Sequence, residues 1–195
     1  IRAAAKNHRD VAVVVDPADY PLVQAVLDAG GFTVEQRLAL ARKAFARTAA
    51  YDAAISNYLH GLGTEFPEIF TAQFRNGRPL RYGENPHQRA AVYGSGGIAL
   101  QEPLQGRQMS YNNYLDLHAG AMLVREFDEP VAAIIKHNNP CGVATGDSPI
   151  TAYIQARDVD PVSAYGSVVV LNREVGSPLA DEITGTYVEV VAAPS

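Results

Sequence analysis

The sequence predicts an α/β protein, because short apolar runs typical of buried strands alternate with segments that have helical periodicity. Hydrophobic residues make up 47% of the 195 residues and charged residues 19%, a balance typical of a folded chain that is long enough to bury a core. Over residues 61–79 the periodic pattern gives way to glycine, proline and polar residues, which indicates a boundary between two regions.

The first region opens with an alanine-rich segment of helical character. The run VAVVV at 11–15 then predicts a buried strand, and residues 19–29 predict a helix that Gly30 and Gly31 terminate.

A long helix follows, over about 34–59. Its start is predicted by Thr33 and Gln36, which match a capping box. Asp52 interrupts the apolar stripe of this helix, so we expect the face to be only partly buried.

The second region has the same alternation of strands and helices from about residue 80 onward. Its predicted strands are at 90–93, 97–100, 131–135, 167–171 and 187–192, and its predicted helices are at 113–126, 150–158 and 178–185.

Charge, cysteine content and hydropathy exclude several function classes. A net charge of −5 argues against sequence-independent nucleic-acid binding, which needs a basic face. The longest apolar runs are far shorter than the ~20 residues of a membrane span. The single cysteine, Cys141, has no partner for an internal disulfide, and no secretory segment opens the chain, so the cytoplasm is the expected compartment. Because the chain begins without methionine and ends just after a predicted strand, we expect both ends to be cut from something longer.

Lys136 and His137 are the most suggestive pair of residues. They follow the predicted strand 131–135, and Asn138-Asn139-Pro140 after them predicts a turn. Open α/β sheets bind ligands beyond the carboxyl ends of their strands, and a histidine and a lysine there could move a proton and stabilise an oxyanion. From the dipeptide alone, a surface lysine beside a structural histidine is the better explanation.

A zinc deaminase is a second hypothesis, because Pro140-Cys141 resembles part of the deaminase signature H-x-E followed by P-C-x-x-C. The second cysteine and the glutamate of that signature are absent, so the ligand count argues against zinc. We interpret Cys141 as a packing residue.

Four further segments carry candidate site residues. Arg81 and Tyr82 suit a phosphate or a flat ring, or else decorate a surface loop. Asn112 or Asn113 could be a helix N-cap or read the edge of a ligand. The remaining two candidates are Gly166, where backbone could approach a ligand, and Lys6, near a helix C-terminus, where a surface charge is the ordinary interpretation.

Taken together and in order, five segments closely resemble the AICAR transformylase/IMP cyclohydrolase family. These segments are RAAAKNH with the following VVVDPADY, then LRYGENPHQ, MSYNNYLD, IIKHNNPCG and DPVSAYG. The similarity extends over essentially the whole chain, including the long helix.

The resemblance implies a fold and a domain division. Residues 1–70 correspond to the closing part of a cyclohydrolase domain with a methylglyoxal-synthase-like, Rossmann-type fold. Residues 71–79 are then a linker, and residues 80–195 are the opening part of a cytidine-deaminase-like transformylase domain.

The resemblance also implies a reaction. The family transfers a formyl group from 10-formyltetrahydrofolate to the amine of AICAR, and it then closes the product, FAICAR, to IMP. By position, His137 would be the base, Lys136 an electrostatic stabiliser or acid, and Lys6 a cyclohydrolase lysine. The implied AICAR-binding residues are Arg81, Tyr82, Asn113, Gly166 and Glu189.

The family is a cytoplasmic homodimer that needs no metal, and the resemblance extends these expectations to this chain. Because parts of both family domains lie outside the 195 residues, we expect the chain alone to be inactive. A non-catalytic nucleotide-binding fragment is the alternative, although such a fragment would not need both Lys136 and His137.

Overall fold

A computed structural model describes residues 1–94 and 96–194, and it has a mixed α/β architecture in two compact units, Ile1–Gln73 and Phe74–Ser195. Because compactness alone does not identify the domains of a family, the assignment of 1–70, 71–79 and 80–195 stays a prediction. None of the helices among the described residues is long and apolar enough to cross a membrane.

The first unit is helical. Its helices are α1 (Arg2–Lys6), a short 3₁₀ helix (Pro17–Asp19), α2 (Tyr20–Asp28) and α3 (Val34–Gly61). The capping box is confirmed, since the Gln36 amide donates to Thr33 Oγ1 at 3.2 Å and the Thr33 amide donates to Gln36 Oε1 at 2.9 Å. The predicted helix over 19–29 is confirmed as well, and it ends where Gly30 takes a left-handed φ of 99°.

The strand predicted at 11–15 is wrong. The described part of this unit contains no β-strand, because a strand needs a neighbouring extended segment as a hydrogen-bonding partner and the other described segments are helical or irregular. The apolar character of this segment is used for packing instead. Val13 and Val15 lie against the core cluster of Ala5, Ala41 and Ala44.

Helix α3 is buried only along part of its apolar stripe, as the charge in that stripe indicated. Ala41, Ala44 and Ala53 are buried, whereas Ile55 is 40% exposed and Leu59 is 58% exposed. Asp52 faces outward and accepts a hydrogen bond from Arg2 at 3.0 Å.

The second unit contains a four-stranded sheet in the order β4-β3-β5-β6, and a separate two-stranded ribbon. The ribbon strands are β1 (Arg78–Pro79) and β2 (Ala91–Val92), and the sheet strands are β3 (Val131–Lys136), β4 (Asn139–Thr145), β5 (Ser167–Leu171) and β6 (Val188–Ala192). The helices are α4 (Tyr111–Leu123), α5 (Pro149–Val159), α6 (Pro161–Ala164) and α7 (Ser177–Thr184), with 3₁₀ helices at Gly97–Leu100 and Val124–Glu126.

Most of the predicted elements of this unit are confirmed, one is wrong, and β1, β4 and α6 were not predicted. The segment 97–100 is a 3₁₀ helix rather than a strand, because Gly97 has a φ of 65°, which does not fit extended backbone. Strand β4 was missed, because its opening residues Asn139-Pro140 have the composition of a turn.

Strand β3 is buried on both faces. Its even-numbered residues Ala132 and Ile134 contact one core cluster, which includes residues of α5 and α7. Its odd-numbered residues contact a second cluster that includes Leu117 of α4. The sheet is therefore a central layer between helices, and the alternation of side chains along β3 supplies both cores.

The strand directions bring four chain segments to one edge of the sheet. Strand β3 is antiparallel to β4 and to β5, and β5 is parallel to β6. The end of β3 at Lys136 therefore lies beside the starts of β4, β5 and β6, at Asn139, Ser167 and Val188. We call this end of the strands, which includes Lys136, Asn139, Ser167 and Val188, the site edge. Lys136 and His137 do lie at the carboxyl end of β3, as predicted, but the starts of β4, β5 and β6 lie beside them because the sheet is mixed rather than parallel.

Gly142 sets how closely α5 approaches β4. A Cβ atom at this position would lie 2.0 Å from the backbone oxygen of Ala156, so a side chain requires the helix backbone to shift. We expect Gly142→Ala to lower the free energy of unfolding by about 1–3 kcal/mol, as overpacking does elsewhere. Urea unfolding measures this change.

Gly176→Ala is the matched control, because an added Cβ there meets only Pro178 at an ordinary 3.9 Å. If both variants unfold at the same urea concentration, close packing at Gly142 does not contribute to stability.

Candidate active site

His137 occupies a strained two-residue turn between β3 and β4. Lys136 pairs with Asn139 across the turn, and the two residues between them, His137 and Asn138, have φ values of 54° and 64°. Positive φ at both central positions is required by a type I′ turn, and histidine and asparagine tolerate it better than most residues. The turn predicted at 138–140 is therefore displaced, since Asn139 and Pro140 already belong to β4.

A β-bulge follows the turn. Ile134 pairs with Gly142 and Ile135 pairs with Pro140, so Cys141 is the extra residue in β4. The proline is tolerated because β4 is an edge strand. The thiol of Cys141 donates to the Ile134 carbonyl at 3.4 Å, and burial raises its pKa, which agrees with a packing residue rather than a nucleophile.

The Lys136 side chain is held against the segment that leads into β5. Its Nζ atom donates to the carbonyl of Tyr165 at 2.9 Å. Asp160 caps the short helix α6 by accepting from the Ser163 amide at 3.0 Å. Hydrogen bonds from Ser163 hold the pKa of the Asp160 carboxyl below its usual range, and the positive charge of Lys136 contributes to the same shift.

Gly166 connects this segment to the start of β6. It has a φ of 70°, which favours glycine, and its amide donates to the carbonyl of Tyr187 at 2.8 Å. The rings of Tyr165 and Tyr187 are tilted against each other with centroids 5.5 Å apart. Lys136 contacts Tyr165, and the next residue, Gly166, bonds to Tyr187 just before β6. The Lys136 side chain is thereby linked to the start of β6.

Asn113 is the centre of a second group of contacts. Its side chain is 5% exposed, and its Oδ1 accepts from both the amide and the hydroxyl of Ser110 at 2.9 Å. Its Nδ2 donates to Glu189 Oε2 at 2.7 Å, and Arg81 Nη2 donates to its Oδ1 at 3.3 Å. We call Arg81, Ser110, Asn113 and Glu189 the Asn113 cluster. It satisfies a buried amide with partners from three parts of the chain.

Neither asparagine at the start of α4 is the N-cap. Ser110 is the N-cap, and its hydroxyl accepts from the Asn113 amide at 3.2 Å, so Asn113 is the third residue of the helix. The side chain of Asn112 donates instead to the carbonyl of Glu84 at 3.2 Å.

Glu189 reaches the Asn113 cluster because the pairing of β5 with β6 is irregular. Ser167 pairs with Val188 and Val168 pairs with Val190, so the register skips Glu189. Bulges of this kind redirect a side chain and are common beside functional sites. The residue that the β5/β6 pairing skips, Glu189, is thus the one whose carboxylate accepts the hydrogen bond from the buried Asn113 amide.

The other predicted site residues differ in how closely they join this arrangement. The guanidinium of Arg81 lies 5.3 Å from the ring centroid of Tyr82, within range of a cation–π contact. Lys136 and His137 lie at the end of β3, and Gly166 directly precedes β5. Lys6 belongs to the first unit, where it is exposed at the end of α1.

Three contributors to this edge were not predicted from the sequence. Ser110 orients the Asn113 amide, Asp116 accepts a hydrogen bond from the Asn138 amide at 2.6 Å, and Tyr187 binds Gly166. A serine three residues before a helical asparagine is a recognisable capping signal. No local pattern marks the other two, because their partners are 22 and 21 positions away in sequence.

The second unit also has an open concavity that none of the predicted site residues lines. Among the described residues, no group of three or more His, Cys, Asp or Glu side chains could hold a metal ion. The concavity of about 350 Å³ is lined by Glu129, Thr145, Asp147 and neighbouring residues. It lies at the opposite edge of the sheet, where β4 ends, and none of the predicted site residues lines it.

The site edge presents a lysine and an exposed histidine together with the buried amide of Asn113 and the exposed carboxylate of Glu189 that it contacts. Side chains of these types are suited to moving protons on a bound small molecule. A family model described as the AICARFT/IMPCHase bienzyme matches residues 4–195. The chain belongs to this family, which confirms the resemblance.

Curated relatives agree with the family assignment. The chain is 53% identical over 201 residues to the bifunctional purine biosynthesis protein PurH of Rhodospirillum rubrum. It is 48% identical over 213 residues to PurH of Sorangium cellulosum, and 45% identical over 202 residues to PurH of Bacillus subtilis. Each match covers all of this chain but only 38%, 41% and 40% of the respective relative. The chain thus spans about two-fifths of their length.

The direction of the hydrogen bond between Asn113 and Glu189 can be tested by exchanging donor and acceptor. Asn113→Asp places a carboxylate oxygen where Nδ2 now donates, 2.7 Å from Glu189. We expect it to cost about 1–3 kcal/mol of unfolding free energy at pH 7. In this variant the carboxylates at positions 113 and 189 repel each other, which raises their pKa in the folded protein above the unfolded value. Stability should therefore recover as the pH falls to about 4.

Asn113→Asp combined with Glu189→Gln restores one donor and one acceptor, so this double variant should recover most of the loss at pH 7. Glu189→Gln alone is the control. Thermal unfolding that shows no recovery in the double variant would contradict the assigned contact.

Proposed function

We propose that this chain is part of a bifunctional enzyme of purine biosynthesis. The enzyme transfers a formyl group from 10-formyltetrahydrofolate to AICAR, and it closes the product FAICAR to IMP with loss of water. The observation that carries this proposal is the convergence of Lys136, His137 and the Asn113 cluster on the second unit of a chain whose family is established. The name of its relatives, bifunctional purine biosynthesis protein PurH, supports the proposal.

The fold assignment within this proposal is finer than mixed α/β. We assign residues 1–70 to the closing part of a methylglyoxal-synthase-like cyclohydrolase domain and residues 80–195 to the opening part of a cytidine-deaminase-like transformylase domain. The division into two compact units and a sheet covered by helices on both faces are compatible with this assignment. The remaining parts of both sites would come from the rest of the full-length protein.

His137 is proposed as the base of formyl transfer. The AICAR amine is a weak nucleophile, because its lone pair is delocalised into the ring and its carboxamide. A bond forms between the amine nitrogen and the formyl carbon, and the amine proton passes to the base as the tetrahedral intermediate develops. The exposed imidazole at the tip of a tight turn can reach such a substrate.

Lys136 is proposed to act on the same intermediate from the opposite side of the reacting carbon. Breaking the bond between that carbon and the folate nitrogen leaves a nitrogen that must gain a proton. An ammonium group can stabilise the intermediate oxyanion or deliver that proton. The contact of its Nζ with the Tyr165 carbonyl uses one of three donor hydrogens, and two remain for a substrate.

Arg81, Tyr82, Asn113, Gly166 and Glu189 are proposed to bind AICAR. The Arg81 guanidinium suits the phosphate, and it stacks against Tyr82 in a way that restricts its orientation. The Glu189 carboxylate has one oxygen engaged with Asn113 and a second that can accept a hydrogen bond from the substrate. Gly166 allows close approach of the backbone.

Lys6 is proposed to act in the cyclohydrolase site, where its charge would hold the nucleotide in the ring-closing geometry. Its exposure at the end of α1 leaves it accessible to a ligand. We further propose that the complete protein is a cytoplasmic homodimer that needs no metal, with small-molecule substrates rather than nucleic acid or membrane as partners.

Replacing His137 separates the two activities. In the full-length enzyme, we expect His137→Ala to lower the turnover of formyl transfer by about 10²–10⁴-fold, because the amine loses its base. AICAR affinity and cyclohydrolase activity should stay within about threefold of wild type, as the Asn113 cluster and the first unit are unchanged. Steady-state kinetics of both half-reactions measure this.

His118→Ala is the matched control, since this histidine is exposed on α4 and has no proposed role. Unchanged formyl transfer in His137→Ala would exclude the catalytic assignment.

Replacing Lys6 should give the opposite separation. We expect Lys6→Ala to reduce cyclisation of FAICAR by about 10²–10³-fold, a loss typical of removing one electrostatic stabiliser, while formyl transfer persists. Arg9→Ala is the control, because it removes an exposed cation from the same segment. The assignment of Lys6 fails if cyclisation assayed with purified FAICAR is equally fast in both variants.

A further inference from the structure

The turn that carries His137 is fastened to helix α4 by one carboxylate. The amide of Asn138 donates to Asp116 Oδ1 at 2.6 Å. In a two-residue hairpin the amide of the second turn residue faces outward and has no partner in the ladder. Asp116 therefore supplies a partner that the hairpin itself does not provide.

The turn needs such support more than most turns do. Both of its residues are non-glycine residues in the left-handed region, with φ values of 54° and 64°. Conformations of this kind persist where the surrounding structure holds them. On the other face of the sheet Lys136 is held by the Tyr165 carbonyl, so the two sides of the hairpin tip are held by different elements.

Asp116 also lies on the helix that carries the Asn113 cluster. It follows Asn113 by three positions, and residues at this spacing are neighbours on a helix surface. The same helix packs tightly on the sheet at Gly120, where an added Cβ would lie 2.5 Å from Val170 and 3.0 Å from Ile135. Helix α4 therefore cannot slide along β3 without a clash.

We propose that Asp116 is a positioning residue that holds the His137 turn in register with the Asn113 cluster through helix α4. This inference rests on the proposed function, since it concerns the base of formyl transfer. Asp116 itself contacts no reacting atom. It acts by keeping the imidazole at a fixed distance from the substrate that Arg81, Asn113 and Glu189 bind.

The expected consequence is a loss of turnover without a loss of binding. When the carboxylate is removed, the turn is free to move, and a misplacement of about 1 Å at a reacting group can cost about 10²-fold in rate. The Asn113 cluster keeps all of its own hydrogen bonds, so AICAR is still bound.

The test uses the full-length enzyme and compares three variants. For Asp116→Ala we expect the kcat of formyl transfer to fall about 10- to 100-fold, with the Kd for AICAR and the cyclohydrolase rate within about threefold of wild type. Asp116→Asn should keep kcat within about threefold, because its side-chain oxygen can still accept from Asn138. Glu126→Ala removes an exposed carboxylate from the next helical segment and is the matched control.

Three results would overturn the proposal. One is a kcat for Asp116→Ala equal to that of Glu126→Ala. Another is an equal loss in Asp116→Asn, which would mean that charge rather than the hydrogen bond matters. A third is a parallel loss of AICAR binding, which a merely structural role predicts. If Asp116→Ala is insoluble, Asp116→Ser replaces it under the same criteria, because a serine hydroxyl is too short to make the contact.

Wild type and His137→Ala, measured in the same assays, separate this proposal from the proposed function. Absence of formyl transfer in the wild type, or its persistence in His137→Ala, contradicts the proposed function. An active wild type, an inactive His137→Ala and a fully active Asp116→Ala contradict only the role of Asp116.

Discussion

Helices cover both faces of the sheet around β3. At two positions a helix packs so closely against the strands that the contact needs a glycine without a Cβ atom. Gly120 of α4 lies against Val170 and Ile135, and Gly142 of β4 lies against the backbone of α5. These contacts determine where each helix stands relative to the strands. They therefore also determine where the side chains at the end of β3 lie relative to those at the start of α4. The contacts that α4 makes at the site edge, from Asn113 to Glu189 and from Asp116 to the His137 turn, therefore depend on this packing.

The irregular features of the sheet are concentrated at that edge. A left-handed two-residue turn, a bulge that skips Cys141 and a register shift that skips Glu189 all lie there. The opposite ends of the same strands pair regularly. Bulges and left-handed turns re-aim side chains at a cost in local stability, so their occurrence together is typical of a functional edge rather than of a structural one.

The regular parts of this architecture follow from local sequence. The apolar runs at β3 and β5 and the capping box before α3 were recognised, because each depends on residues within a few positions of one another. The failures have the same origin. Residues 11–15 have the composition of a strand, but no segment of the described residues pairs with them, and β4 opens with Asn-Pro, which resembles a turn until its pairing with β3 is known.

The site follows the same division. Local patterns marked Lys136, His137, Arg81 and Asn113 as candidates and left their roles open, and the family resemblance alone supplied Glu189. The contact between Asn113 and Glu189 spans 76 positions, and the contact between Asp116 and Asn138 spans 22. Contacts over such separations depend on the topology of the sheet and on two one-residue irregularities, and no short segment of sequence encodes either of them.

We propose that the site edge binds AICAR with its amine facing His137, and a crystal structure of the full-length protein with AICAR bound would test this. The exocyclic 5-amino nitrogen is expected within about 2.6–3.2 Å of an imidazole nitrogen of His137, or one water molecule away. The nucleotide is expected to contact Arg81 and Glu189. AICAR bound to the second unit at the opposite edge of the sheet, beside Glu129 and Asp147, would contradict this proposal.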